Sequence, residues 1–262
     1  MKVIIMTDLE GISLVDTIDM ISESKDGYKF ACERLMEDVN AAVQGAADAG
    51  ADEILVFDGH GRGHGHNFSN GGPLDPRAKL LTDFNAPGLL DDCVGYLEIG
   101  LHAKPGTLNG FLDHCQSSAK WFEYCQNGVA QGELAQGAAY VGAYGVPVVM
   151  VSGDEAACEE AKALIPGIET AVVKKGIGRN KAECLDSETS LRLIREAAYR
   201  GIKKAAEIKP YIISLPVEVK VTFYRSDMCD EICEAKPYLT RVDARTVTVV
   251  RDKIVTYRDL LL

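Results

Sequence analysis

Three carboxylates and two imidazoles sit where a folded chain could bring them together: Asp8, Glu10, Glu133, His60 and His102. Asp8 and Glu10 follow the short apolar run Val3-Ile4-Ile5-Met6, which has the length of a buried strand. Residues two apart in extended chain point to the same face, so both carboxylates can converge just past the strand end. Carboxylates drawn together out of water repel one another and stay ionised only with positive charge between them. A divalent metal supplies that charge. The plainer alternative is that Asp8 caps a helix and Glu10 is solvated. The full set of five suits zinc or another borderline divalent ion. Five donors exceed what one catalytic ion takes. They fit two ions about 3.5–4 Å apart, with the central Asp8 as the shared carboxylate. One ion supported by two hydrogen-bonding neighbours is the alternative.

The elements that must position these groups can be read from periodicity. Apolar residues at Tyr28, Cys32, Leu35, Val39 and Val43 recur at a helical spacing, and Gly50 stands where such a helix would be capped. Glu53–Phe57 is a second buried-strand run and ends in Asp58-Gly59-His60. Strand, helix and strand at this spacing form a βαβ unit and imply a parallel sheet. A third strand-like run, 95–101, ends at His102, and a fourth, 146–151, leads into Ser152-Gly153-Asp154. Ligands of open parallel sheets bind at the carboxyl ends of the strands, where Asp8, Glu10, His60, His102 and Asp154 all fall. Glu133 opens a helix running to about Tyr144. Simple alternation puts it at the opposite edge, from which a loop would have to bring it back. Helices are expected over 155–164 and 188–206, the latter capped by Ser187, and short strands over 78–81 and 170–174. Asn127-Gly128 predicts a tight hairpin within 122–131. The glycine-rich stretch 61–72 lacks the Lys-Ser or Lys-Thr of a phosphate loop and reads as a lid or surface loop, with His64 and His66 solvated. Val217–Tyr224 alternates like a half-exposed strand, and Thr246–Arg251 resembles another. The expected fold class is α/β, a mostly parallel sheet with flanking helices, plus a smaller α+β C-terminal portion. The expected division is an α/β metal-binding core at 1–168 and a smaller α+β portion packed on it at 169–262.

Composition narrows the classes of function. The chain has 262 residues, 47% hydrophobic and 26% charged, with a net charge of −11. That balance and the absence of a basic run argue against nucleic-acid binding. No apolar run approaches the roughly 20 residues of a membrane span, and no signal-peptide pattern opens the chain, so a cytoplasmic protein is expected. The eight cysteines form no C-x-x-C pair and read as reduced thiols; Cys229 and Cys233 could share a helix face.

The string Thr-Asp-Leu-Glu-Gly-Ile-Ser at 7–13 resembles the opening motif of the DppA-type D-aminopeptidases, a family of dinuclear zinc aminopeptidases. The likeness continues in order through Asp58-Gly59-His60, Gly100-Leu101-His102-Ala103-Lys104, Asp113-His114 and Gly132-Glu133-Leu134. It extends to Pro147–Gly153 with Asp154-Glu155, and to the segment Lys174–Cys184. It spans about residues 1–190. The resemblance implies two zinc ions per chain, with Asp8 bridging, Glu10 and Glu133 completing one site, and His60 and His102 the other. It implies His114 as the catalytic residue, doing acid–base or oxyanion-stabilising work. It further implies a short peptide substrate with a free amino end, and a homo-oligomer built from rings, a decamer of stacked pentamers. Asp58 and Asp154 are candidates for binding the amine or supporting the ligands, and Asp113 for orienting His114. The chain departs from the family pattern in Asp113-His114-Cys115, where Ser-His-Ser is usual, in Lys104 for arginine, and in its glycine-rich loop. The rival readings are a dinuclear-metal hydrolase of another amide or a phosphoester, with Lys104 and Arg62 as the cations for phosphate, and a non-enzymatic metal-dependent binding protein.

Overall fold

In the computed structural model, which describes residues 1–61 and 63–262, β1 (Lys2–Thr7) lies at the centre of the main sheet. Val3, Ile4 and Ile5 are fully buried, as a parallel strand covered on both faces requires. The helix α1 (Gly27–Asp48) follows, and Gly50, at a positive φ of 105°, ends it as expected. Then come β2 (Glu53–Asp58), a short α2 (His66–Gly71), β3 (Ala78–Leu81) and β4 (Cys93–Leu101). The hairpin β5 (Trp121–Gln126) and β6 (Val129–Ala130) turns at Asn127 and Gly128, both at positive φ as a type I′ turn demands. After it run α3 (Glu133–Ala143), β7 (Val148–Asp154), α4 (Glu155–Leu164), β8 (Glu169–Gly178), β9 (Lys181–Cys184) and α5 (Ser187–Lys203). The remainder holds β10 (Val217–Phe223), α6 (Ser226–Ala235), β11 (Thr240–Arg241), β12 (Thr246–Arg251) and a 3-10 turn at Tyr257–Leu260.

The main sheet has the order β3-β2-β1-β4-β7-β8-β9; every pair is parallel except β8 with β9. The second sheet, β11-β12-β10-β5-β6, is antiparallel throughout. The α/β class and the antiparallel C-terminal texture are as the periodicity indicated. The pairing of β5 with β10 joins segments almost a hundred residues apart, which no local pattern could announce. Along β10, Val217, Val219, Val221 and Phe223 are buried while the intervening residues are partly exposed. Val219, Val221 and Phe223 form a second apolar core under that sheet with Tyr124, Cys229 and Val247, while Val217 joins the main core.

Three expectations of detail are corrected. Asp186, not Ser187, caps α5, because its carboxylate reaches the Thr189 amide at 2.9 Å. The strand predicted at 170–174 continues to Gly178, because β9 pairs with its second half. The glycine-rich stretch is not wholly irregular: it carries α2, which is pinned through the buried Asn67. Asn67 donates to Asp58 from its main-chain amide at 2.9 Å and from its side chain at 2.7 Å, and it accepts from the Tyr28 hydroxyl.

Candidate metal centre

The carboxyl ends of β1, β2 and β4 lie side by side, and their following loops carry Asp8, Glu10, His60 and His102. Two glycines let these loops close on one another. Gly11 donates to the Gly100 carbonyl at 2.7 Å, and Gly100, at a φ of 83°, lies where an added Cβ would collide with the Asp8 carbonyl. Glu133 is in the same cluster, at the start of α3. The expectation that it lay at the far edge fails for a simple reason. The last turn of α3 feeds β7 at the amino edge, so its first turn, about 16 Å earlier in the helix, stands over the carboxyl edge.

His102 Nε2 is 3.2 Å from Asp8 Oδ2 and 3.4 Å from Glu133 Oε1. His60 Nε2 is 3.4 Å from Glu10 Oε1. His114, on the loop after β4, puts Nε2 4.0 Å from Glu10 Oε1 and 3.9 Å from Glu133 Oε1. Its ring stacks on that of His102 with centroids 3.9 Å apart. By distance the donors form two sets, Asp8 with Glu10 and His60, and His102 with His114 and Glu133, each mutually within 4.8 Å.

The hydrogen bonds fix the tautomers. His102 Nδ1 faces the Ala103 carbonyl at 3.0 Å, and His114 Nδ1 faces the Leu112 carbonyl at 2.7 Å. A carbonyl only accepts, so Nδ1 carries the proton in both rings and Nε2 is left to face the carboxylates. Among the described residues, Asp8 Oδ2, Glu10 Oε2 and His102 Nε2 are buried without a hydrogen-bond partner. Lone pairs turned toward one another in a buried site call for a cation between them.

The electrostatics give the same answer. Burial, with Glu10 adding, pushes Asp8 up to about 7. Against its burial, His60 above all holds Glu10 well below the usual carboxylate range. Against their own burial, Glu10 pushes His60 up to about 10, and Asp8 and Glu133 push His102 well above the imidazole range. His114 goes down, through burial and the neighbouring His102. The cluster thus gathers protons to balance its carboxylates, and a divalent ion would take their place. The donor set fits zinc.

Other residues singled out in the sequence are held in structural duties. Asp58 is committed to Asn67. Asp154 accepts from the Phe111 amide at 2.8 Å and from Ala157 at 2.9 Å, capping α4. Asp113 accepts from the Gly106 amide at 2.6 Å and pairs with Arg179, so the Leu112 carbonyl, not Asp113, orients His114. Cys115 is fully buried against Gln136, and burial pushes its thiol well above the usual range. His64 reaches the Thr82 carbonyl and His66 lies beside Glu23. Lys104 lines a separate hollow with Thr107 and Glu155, and Arg62 lies outside the described residues.

The donors open into a cavity of about 570 Å³. One wall is aromatic: the Phe84 ring sits 5.4 Å from Phe57, 5.9 Å from Tyr96 and 5.7 Å from Tyr257, centroid to centroid, and 5.3 Å from Tyr140, which does not itself line the cavity. The Tyr257 hydroxyl donates to Gln136 at 2.9 Å and accepts from Gln116 at 3.1 Å, and the Gln116 amide donates to Glu133 Oε1 at 2.7 Å. Two contributors had no role assigned from the sequence. Glu98 lines the cavity from mid-strand; its signal was a carboxylate inside an apolar run read as buried. Lys174, fully buried on β8, donates to the carbonyls of Glu10 (2.8 Å) and Val15 and so holds the loop that carries two of the donors.

The family model described as D-aminopeptidase, Peptidase_M55, matches residues 1–262. A D-aminopeptidase of Bacillus subtilis (strain 168) is 32% identical over 215 residues, 80% of this chain and 77% of that protein. A solved structure, the Zn-dependent D-aminopeptidase DppA from Bacillus subtilis, described as a self-compartmentalizing protease, matches with a TM-score of 0.90. The identity is 27%, over 99% of this chain and 95% of that one.

Proposed function

This chain belongs to the Peptidase_M55 D-aminopeptidase family, and we propose from that premise that it is a zinc aminopeptidase releasing N-terminal D-amino acids from short peptides. The observation that carries the reading is the buried His102 Nε2, turned toward Asp8 and Glu133 beside oxygens of Asp8 and Glu10 that have no hydrogen-bond partner among the described residues. Asp8, Glu10, His60, His102 and Glu133 would hold two zinc ions. Bound there, zinc supplies Lewis acidity and lowers the pKa of water toward neutrality.

The chain's own groups supply the rest. His114 is the catalytic residue in this reading. Its Nδ1–H is fixed on the Leu112 carbonyl, so Nε2 is the atom free to take a proton and pass it to the leaving amine, or to stabilise charge on the carbonyl oxygen. Gln116 fixes Glu133 through its main-chain amide, and Lys174 fixes Glu10 through its carbonyl. The aromatic wall excludes water and receives the N-terminal side chain.

The family match and the zinc-dependent neighbour favour peptide hydrolysis over a phosphoester or a binding role. The self-compartmentalizing neighbour supports assembly of this chain into a homo-oligomer of rings. Among the described residues no helix is long and apolar enough to cross a membrane, and a cytoplasmic location is part of the proposal.

The test is elemental analysis of the purified protein, with amino-acid release from D-Ala-D-Ala and L-Ala-L-Ala before and after chelation. The expected result is two zinc ions per chain and chelator-sensitive release from the D-peptide alone. Bound metal without peptide cleavage would redirect the search to other substrates, and a protein that takes up no metal would overturn the reading.

A further inference from the structure

Glu98 sits at the middle of β4, paired in register with Met6 of β1 and Val151 of β7. It is 4% exposed, lines the cavity, and its Oε2 has no hydrogen-bond partner among the described residues. The Tyr96 hydroxyl serves the carboxylate, so it is one buried oxygen that stays unmatched, at a cost to the fold unless a ligand completes it. The fold also makes room for it. An added Cβ on Gly137 would collide with Glu98 Oε1 and come within 3.1 Å of the Tyr96 hydroxyl. A glycine inside α3 weakens the helix, and here its absent side chain leaves the carboxylate its space.

The other acids near the cavity are already engaged. Asp8, Glu10 and Glu133 face the imidazoles. Asp58 holds Asn67, Asp154 caps α4, and Asp113 pairs with Arg179. Asp83, also on the cavity lining, is exposed and accepts from the Asn85 amide at 2.9 Å, so among the described residues Glu98 is the buried acid left over. Gly137 follows Glu133 by one turn of α3, about 6 Å along the axis, so the Glu98 carboxylate meets the helix about one turn from a proposed zinc ligand. In a peptide the terminal nitrogen is separated from the scissile carbonyl by a single carbon, so it would lie close to that interval.

Resting on the aminopeptidase reading above, we propose that Glu98 binds the terminal ammonium of the substrate, pairing with it through its free Oε2 and selecting peptides whose amino end is unblocked. Burial, opposed by the Tyr96 hydroxyl, pushes Glu98 up to about 8, and an arriving cation favours its ionised form. The group is a primary ammonium on the α-carbon. A basic side chain on the N-terminal residue would be a different occupant, and the test separates the two.

Calorimetry on the zinc-loaded and the metal-free protein would compare D-alaninamide with propanamide, which differ only in the amino group. The wild type is expected to prefer D-alaninamide. Glu98→Gln, which keeps the shape, is expected to weaken D-alaninamide binding by about 10- to 100-fold, the worth of a charge-assisted hydrogen bond, and to leave propanamide unchanged. Glu98→Asp, which keeps the charge, should restore part of the preference. With D-Ala-D-Ala the Gln variant should raise KM, with zinc content as in the wild type and a melting temperature no lower. An unchanged preference for D-alaninamide in Glu98→Gln would overturn the assignment. So would a loss confined to D-lysinamide, which would give the carboxylate to the side chain. Cleavage of D-Ala-D-Ala with an unaltered KM in the variant would overturn this proposal while leaving the aminopeptidase reading intact. A wild type that cleaves no peptide would refute that reading, and the amide comparison would still decide whether Glu98 binds an ammonium.

Discussion

Replacing Lys174 with Met should damage zinc binding far more than it damages the fold. Two effects oppose each other in the metal-free protein. The substitution leaves the carbonyls of Glu10 and Val15 without their donor, at about 1–3 kcal/mol for each buried acceptor. It also removes a charge that the interior disfavours. Burial lowers Lys174 from its usual 10.5 to about 8, which corresponds to about 3 kcal/mol. The terms nearly offset, so the metal-free variant should unfold in urea within about 3 kcal/mol of the wild type. The loop from Asp8 to Val15, by contrast, loses its tie to β8, and Glu10 with it. Zinc affinity should fall by about 10- to 100-fold, the usual effect of removing a group that orients a ligand. A chromogenic chelator in competition with the protein measures that affinity directly. The pH dependence carries its own sign. Between the folded value of about 8 and the unfolded 10.5, the unfolded chain holds a proton that the folded chain has released, so this contribution to stability rises with pH and is lost as pH falls through 8. The wild type should therefore gain on the variant as pH is raised across that window. Equal zinc affinities in the two proteins would refute the reasoning, because Lys174 would then not be holding the donor loop.

Asp8→Ala should abolish both zinc uptake and hydrolysis; an active variant would sink the metal mechanism, as read by elemental analysis beside peptide turnover. His114→Gln should retain zinc and lose about 100- to 10,000-fold in kcat, and loss of zinc instead would place His114 among the ligands. Asp154→Ala should lower stability by about 2–4 kcal/mol in urea unfolding, because it strips a helix cap and strands the Phe111 amide. An unaltered midpoint would show that those amides find other acceptors.

The donors at the strand ends were legible because buried parallel strands are short apolar runs with chemistry at their carboxyl ends. Asp8, Glu10, His60 and His102 each follow such a run, and the structure gathers them. Glu133 was legible as a type and misplaced in space, since its position follows from where its helix ends and not from where it begins. β9 and α6 escaped notice for different reasons. β9 is four residues that owe their conformation to pairing with β8. The sequence of α6 is acidic, with Met228, Cys229, Ile232 and Cys233 as its thin apolar face, only part of which the spacing of Cys229 and Cys233 had suggested. Glu98 was hidden by the regularity around it: the apolar texture of β4 marks a buried strand and says nothing of a cavity beside it. The tautomers of His102 and His114 depend on two main-chain carbonyls, and carbonyl direction leaves no trace in residue type.

The aromatic wall has a consequence for how this cavity could be reshaped. Phe84 touches rings from β2, β4, α3 and the turn at Tyr257–Leu260, so the four share one neighbour although they belong to separate parts of the chain. Contacts between rings are worth about 0.5–1.5 kcal/mol each beyond the area they bury. A change at Phe57 is therefore felt at Tyr96 and Tyr257 through Phe84, and paired substitutions there will not sum from their single effects. Whatever the wall selects, the selection is then a collective property of these rings. It would shift through compensated combinations of ring changes rather than by steps at one position.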